Sequence, residues 1–219
     1  MTHPVQLSPD QPGARLRHGP GWVLLALALL LGTGCKVETL AVIHTAPAQG
    51  AIIAAARPMW LKVSDVRPAS ALSPQGRRRV GAAGNPFGGG PTLPYYEVAE
   101  PIEAILVRAM TDEFRRFGRV PAETANLRVE VGVVAFATEI TGVLFMTAHA
   151  EVRLQVAVHG ASGEPPWSRE VQARVERGVS SVHWNPQRKA SEEALKQALD
   201  QAMAELFLDQ AFLDILMAP

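Results

Sequence analysis

The repeat of apolar side chains at every second position over residues 148–158, with polar side chains between them up to Gln155, is the feature that most limits the folds open to this chain of 219 residues. Successive side chains of a strand point to opposite faces, so the pattern predicts a strand with one buried face and one solvated face. Leu154 then lies on the buried face and Arg153 on the solvated one. Because segments 127–133 and 171–175 alternate in the same way, the three are predicted to form an antiparallel meander.

Two helices are predicted on either side of this meander. Pro101 suits the first turn of a helix, apolar residues follow at helical spacing, and Gly118 supplies a stop, which predicts a helix over 101–117. Ser191 is a suitable N-cap for a final helix whose apolar stripe continues to Phe207.

Two further strands are predicted near the start, over 39–45 and 59–66, where β-branched residues stand between Pro and Gly. The order of these elements predicts an α+β fold: a mixed, largely antiparallel sheet with two main helices packed on one face, as a two-layer sandwich.

The N-terminal residues 1–34 have the pattern of an export signal. Arg15 and Arg17 precede an apolar run over 22–31, as the charged and apolar regions of a signal peptide do. A membrane-spanning helix needs about 20 apolar residues, and this run has half that length. We therefore expect a signal that is removed.

The chain's only cysteine, Cys35, directly follows small residues at the end of this run. The segment resembles the lipobox of bacterial lipoproteins, although Gly32 stands where that family prefers Leu. The resemblance implies that Cys35 is acylated and becomes the first residue of the mature protein. Lys36 follows, and the absence of Asp at this position implies sorting to the outer membrane, facing the periplasm. The alternative is that Cys35 is an ordinary residue after a secretory cleavage site.

The mature chain is predicted to form one domain in three stretches. Residues 35–67 hold the lipidated N-terminus and the first strands, and residues 100–219 hold the helix, the meander and the C-terminal helix. Between them, residues 68–99 are predicted to be a loop, because Pro and Gly fill 11 of the 27 positions from 68 to 94.

Composition excludes several classes of function. The chain has 21 basic and 21 acidic side chains, and without a net field a nucleic-acid partner is disfavoured. One cysteine cannot form an intrachain disulfide or a cysteine-based zinc cluster.

The run from Lys62 to Pro68 contains Ser-Asp-Val-Arg-Pro, and a helix ending in Phe117-Gly118, a valine-rich strand and a late Ser-Glu-Glu helix follow. These features are similar to the YajG-like family of bacterial outer-membrane lipoproteins over most of residues 36–208. The resemblance implies a location and a fold and adds no chemistry. Asp65 and Arg67 are candidates for a charged contact with a partner; the alternative is structural, with Asp65 capping a turn and Arg67 pairing with a carboxylate.

No catalytic, cofactor or metal site is predicted. His149 and His159 share the solvated face of one strand, but ten residues of extended chain separate them by about 33 Å. Ser180, Ser181 and His183 are close in sequence without the Gly-x-Ser-x-Gly turn that exposes a nucleophile.

These observations favour a non-enzymatic, lipid-anchored periplasmic domain that docks another envelope protein. The alternative is a lipoprotein that binds a small amphiphile or a glycan between the sheet and the helices. Convergent polar groups in an apolar pocket would favour that alternative.

Overall fold

The computed structural model describes residues 37–45, 57–68, 77–83, 95–142, 145–160, 167–179 and 185–217. Cys35, Ser180, Ser181 and His183, together with the predicted signal, lie outside these residues. The strands are β1 (Val37–Leu40), β2 (Arg57–Asp65), β3 (Arg79–Ala83), β4 (Tyr95–Val98), β5 (Arg119–Pro121), β6 (Arg128–Thr141), β7 (Thr147–His159) and β8 (Trp167–Gly178). The helices are α1 (Ile102–Arg116), α2 (Pro186–Phe207) and α3 (Gln210–Met217).

The fold is α+β, with the strands in one mixed sheet and the helices against its apolar face, as predicted. The meander of β6, β7 and β8 is antiparallel and follows the predicted faces. Leu154 is completely buried on the inner face, and Arg153 lies on the outer face. β6 continues past the predicted end at residue 133 because a bulge near Val134 lets the ladder resume at Ala135.

The parallel pairings were not predicted. β2 and β3 both lie beside β6, β2 along its first half and β3 along its second, and both run parallel to it. β4 joins the outer side of β3, and β1 lies parallel to β4 as the last described strand on that side. These parallel pairings place residues next to each other that are far apart in the sequence.

The prediction that residues 68–99 form a loop is wrong for the parts that are described, since β3 and β4 lie within it. Gly81 explains how so glycine-rich a segment can join the sheet. A Cβ built there would lie 1.7 Å from the carbonyl oxygen of Thr138 on β6, so only glycine permits this approach. The segment of β3 lacks the alternation of apolar and polar residues by which the other strands were predicted.

Two other boundaries differ from the predictions. The first strand ends at Leu40 instead of residue 45, and residues 41–45 continue along the helices. α2 starts at Pro186, so Ser191 is not its N-cap; it is completely buried one turn further in. Asn185 occupies the cap position in a left-handed conformation, and Pro186 provides the fixed φ that suits a first turn.

Between the sheet and the helices the core is continuous. Aromatic rings of the three helical segments pack together: the ring centroids of Phe114 and Phe207 are 5.1 Å apart, and those of Phe207 and Phe212 are 5.5 Å apart. Edge-to-face contacts of this kind add to the stabilisation from burial. The aromatic side chains therefore fill the space where the three helices meet.

Candidate functional site

Between the helices, one histidine side chain lies in contact with two carboxylate groups. His44 follows β1, Glu113 lies on the buried side of α1, and Asp200 lies on α2. His44 Nε2 is 2.8 Å from Glu113 Oε1, and His44 Nδ1 is 2.6 Å from Asp200 Oδ1. The side chains of His44 and Glu113 are only 4% and 3% exposed. The cluster joins three elements at one point.

Neighbouring groups hold these carboxylates in place. Arg116, one turn after Glu113 on α1, donates to Glu113 Oε2, and the backbone N–H of Thr45 donates to Asp200 Oδ1 at 3.2 Å. Charge-assisted hydrogen bonds of this kind satisfy the oxygen atoms that burial would otherwise leave without partners. The cluster is consequently complete without a ligand.

The hydrogen bonds limit what this histidine can do chemically. A neutral imidazole has one N–H and one acceptor nitrogen, whereas both nitrogens here face carboxylate oxygens. Both ring nitrogens of His44 are therefore already engaged by carboxylate oxygens. Since no ring nitrogen is left for a substrate, this geometry favours a structural role over general base catalysis.

A small cavity of about 230 Å³ lies beside the cluster. Its walls combine the polar groups with apolar side chains that include Phe117, just after α1, and Met203 and Phe207 on α2. Pockets for small molecules usually measure about 300–1,000 Å³. The cavity is thus smaller than the ligand sites of most proteins.

Local sequence does not reveal this cluster. His44 is 69 residues from Glu113 and 156 residues from Asp200, and each residue taken alone looks like an ordinary surface side chain. The spacing of Glu113 and Arg116 by one helical turn is the only nearby signal.

Asp65 and Arg67 form a buried ion pair with each other at the end of β2. Arg67 Nη2 donates to Asp65 Oδ2 at 2.6 Å, and Arg67 Nε donates to Asp65 Oδ1 at 2.9 Å. Arg67 also donates to the backbone oxygens of Arg79 and Arg77. This geometry favours the structural alternative, in which the pair fastens the end of β2 to the segment containing β3.

The outer face of the meander carries a broad polar groove of about 480 Å³. Acidic and basic side chains both lie there: Glu151 on β7 accepts hydrogen bonds from Gln172 at 2.6 Å and from Arg174 at 3.3 Å, both on β8. His149 is 2.8 Å from the hydroxyl of Thr141 and 3.3 Å from a carboxylate oxygen of Glu176. The face is open to solvent and bears charges of both signs.

The structure keeps the two predicted outer-face histidines apart. His149 pairs with Glu139 near one end of β7, and His159 pairs with Arg128 at the other end. Across the described ranges, no three His, Cys, Asp or Glu side chains are arranged to hold a metal ion. Among the same residues, no helix is long and apolar enough to cross a membrane.

No family model and no curated protein matches the chain. Solved structures with a similar arrangement include a Xanthomonas campestris protein of the DUF330 family, at 18% identity and a TM-score of 0.48, covering 79% of this chain and 95% of that one. A candidate lipoprotein from Caulobacter crescentus is 14% identical with a TM-score of 0.41, covering 64% of this chain and 91% of that one.

A minor lipoprotein from Acinetobacter baumannii is 6% identical, with a TM-score of 0.40, and the match covers 69% of this chain and 87% of that one. Similarities of this size assign neither a family nor a ligand. The YajG-like relationship therefore stays a prediction from the sequence motifs, and the function must be argued from the chain itself.

Proposed function

We propose that this chain is a non-enzymatic domain of the bacterial envelope, anchored by acylated Cys35 in the outer membrane, facing the periplasm, and docking another envelope protein. The observation that carries the anchoring is the signal-like run that ends at Cys35, and the start of β1 at Val37, two residues later, sets how close the domain would lie to the anchor. Two residues span at most about 7 Å. An acylated Cys35 would hold the folded domain directly against the bilayer, without a linker.

The lipid attachment is supported by the sequence around the cysteine. An apolar run of half the spanning length ends in small residues just before Cys35, which is where a lipoprotein signal is cut. Two or three acyl chains make attachment stable, because each buried methylene contributes about 0.8 kcal/mol. Lys36 in the next position is compatible with transfer to the outer membrane.

The outer face of β6, β7 and β8 is our candidate for the docking surface. Three strands with the length of β7, which has 13 residues, cover about 14 by 43 Å, or about 600 Å². A stable interface buries about 800 Å² on each partner, so this face supplies most of the area required. It bears charges of both signs, including the Glu151–Arg174 ion pair, which suit a partner with complementary charges.

The alternative is a small amphiphile or glycan held between sheet and helices. The cavity beside His44, which lies between the two long helices and residues 44–45, is the candidate position for such a ligand. Polar groups do converge there within an apolar wall. The volume of about 230 Å³ is nonetheless below the usual range for ligands, and the polar groups already bond to one another. Docking through the open face is the better supported proposal.

Replacing Cys35 with Ser tests the anchor. In cells supplied with radioactive palmitate, the unaltered chain should be labelled and should sediment with the outer membrane. The Cys35→Ser chain should carry no label and should move to the soluble periplasmic fraction. Equal labelling of both chains would contradict acylation at Cys35.

A photo-crosslinking amino acid at position 174 tests the docking face, because the Arg174 side chain is exposed on β8, the edge strand of that face. Leu208, which follows α2 and is also exposed, is the matched control position. We expect a discrete crosslinked product from position 174 that is lost when Glu151 is changed to Arg, and none from position 208. Products that do not differ between the two positions would refute docking through this face.

A further inference from the structure

Phe145, in the hairpin between β6 and β7, is 90% exposed. The sequence of this connection, Gly142-Val-Leu-Phe-Met146, contains no polar side chain. Hairpin connections usually carry polar and turn-forming residues, and an aromatic ring left in water forgoes the free energy of burial. A connection of this composition indicates that something apolar covers it.

The described parts of the hairpin are held in place by a tight turn and by contacts with neighbouring elements. Gly142 has a φ of +91°, and a Cβ built on it would lie 2.2 Å from the carbonyl oxygen of Phe145, so the turn needs glycine. The carbonyl oxygen of Met146 accepts the N–H of Val179 at 2.9 Å. The Gln187 amide donates to the Met146 sulfur at 3.1 Å. The base of the hairpin is therefore attached to β8 and α2.

Sheet register places this hairpin at the same end of the sheet as the start of β1. Val37 pairs with Tyr95, Tyr95 pairs with Ala82, and Ala82 pairs with Glu139, which is two residues before the end of β6. Three strand spacings separate Val37 from β6, a lateral distance of about 14 Å. Cys35 is two residues before Val37 and hence within about 7 Å of it.

We propose that Phe145 inserts into the same bilayer leaflet as the acyl chains on Cys35 and is a second, protein-made membrane contact. This inference rests on the proposed acylation, because it takes the bilayer to lie at the Cys35 end of the sheet. Aromatic side chains are favoured at the boundary between lipid and water. Two contacts below strands that are about 14 Å apart would hold the strands upright on the membrane and keep the outer face of the meander accessible from the side.

The single cysteine makes a direct test practical. In the acylated protein the thiol of Cys35 is consumed, so a Phe145→Cys chain offers one thiol for an environment-sensitive fluorophore. The labelled full-length lipoprotein is reconstituted in vesicles of phosphatidylethanolamine and phosphatidylglycerol. Leu208→Cys is the matched control: it is 78% exposed, and α2, with 22 residues, places it about 33 Å from the hairpin base.

At position 145 we expect the emission to shift to shorter wavelength on reconstitution and nitroxide-labelled lipids to quench it. Neither change is expected at position 208. If the protein binds vesicles but the probe at position 145 behaves like the probe at position 208, the second membrane contact is refuted. The proposed anchor at Cys35 is not affected by that result. If the unaltered chain instead reacts with maleimide at Cys35 and does not float with vesicles, the proposed anchor itself is refuted.

Discussion

Arg67 forms a forked hydrogen-bonded pair with Asp65, two residues earlier in the chain, and the same guanidinium reaches the backbone oxygen of Arg79 at 3.1 Å. One side chain thus closes the end of β2 and fastens it to β3. In sequence the two residues look like a surface motif, whereas both side chains are buried. Their contribution to stability can be measured.

Replacing Arg67 with Ala should lower the free energy of unfolding by about 3–5 kcal/mol, because the Asp65 carboxylate would remain buried without its partner. Urea unfolding of the purified protein measures the change. The double variant Asp65→Ala/Arg67→Ala is the control, and it should cost less than the sum of the two single changes. Strict additivity would show that the pair does not act as a unit.

Leu154→Ala should cost about 2–5 kcal/mol, since Leu154 is completely buried and a cavity would replace its side chain. Arg153→Ala, at the next position and on the outer face, should stay within about 0.5 kcal/mol. Denaturant unfolding of both variants compares the two faces of β7 directly. A larger loss for Arg153→Ala would contradict the observed register.

Gly81→Ala should lower stability by about 1–3 kcal/mol or more, because its Cβ would collide with the Thr138 carbonyl oxygen at 1.7 Å. Gly178→Ala is the matched control, since nothing lies within 4 Å of a Cβ at that position. The control should change stability by no more than about 1 kcal/mol. Hydrogen exchange of β3 amides should rise in the first variant only, and equal behaviour would contradict the close β3–β6 approach.

Tyr96 should make stability depend on pH in the alkaline range. Burial, and secondarily the Glu38 carboxylate, raise the pKa of Tyr96 to about 12, while the nearby Ser191 hydroxyl opposes this rise. The unfolded chain releases this proton near pH 10 but the folded protein retains it. The stabilisation is therefore complete below about pH 10 and is lost as pH rises through about 12, by about 2–3 kcal/mol.

Unfolding measured at about pH 9 and about pH 12 tests this dependence, with Tyr96→Phe as the control that lacks the ionisable group. The unaltered chain should lose more stability between the two values than the variant does. Parallel pH profiles would show that Tyr96 ionises equally in both states.

His44→Ala should cost about 1–3 kcal/mol, because the buried Glu113 carboxylate would lose a hydrogen-bond partner. Asp200→Ala should cost less, since that side chain is 34% exposed and water can replace its partners. Thermal unfolding of the two variants compares them. A larger loss for Asp200→Ala would show that the hydrogen bond between His44 and Glu113 contributes less to stability than the contacts of Asp200.

Sequence alone determined the features that repeat locally. Alternation over 148–158 fixed which side of β7 is buried, and helical spacing after Pro101 located α1, because each pattern reflects the geometry of a single element. The lipid-anchor prediction is likewise local, since it depends on the residues around Cys35.

Tertiary structure alone decided what depends on distant partners. Gly81 lies in a segment without periodicity, and only the approach of Thr138 makes it part of a strand. His44 gains its role from Glu113 and Asp200, which lie on two helices far along the chain. Phe145 is one apolar residue among many until the parallel pairings place it at the end of the sheet where β1 begins. Local patterns record which face is apolar, whereas long-range pairing selects the neighbours.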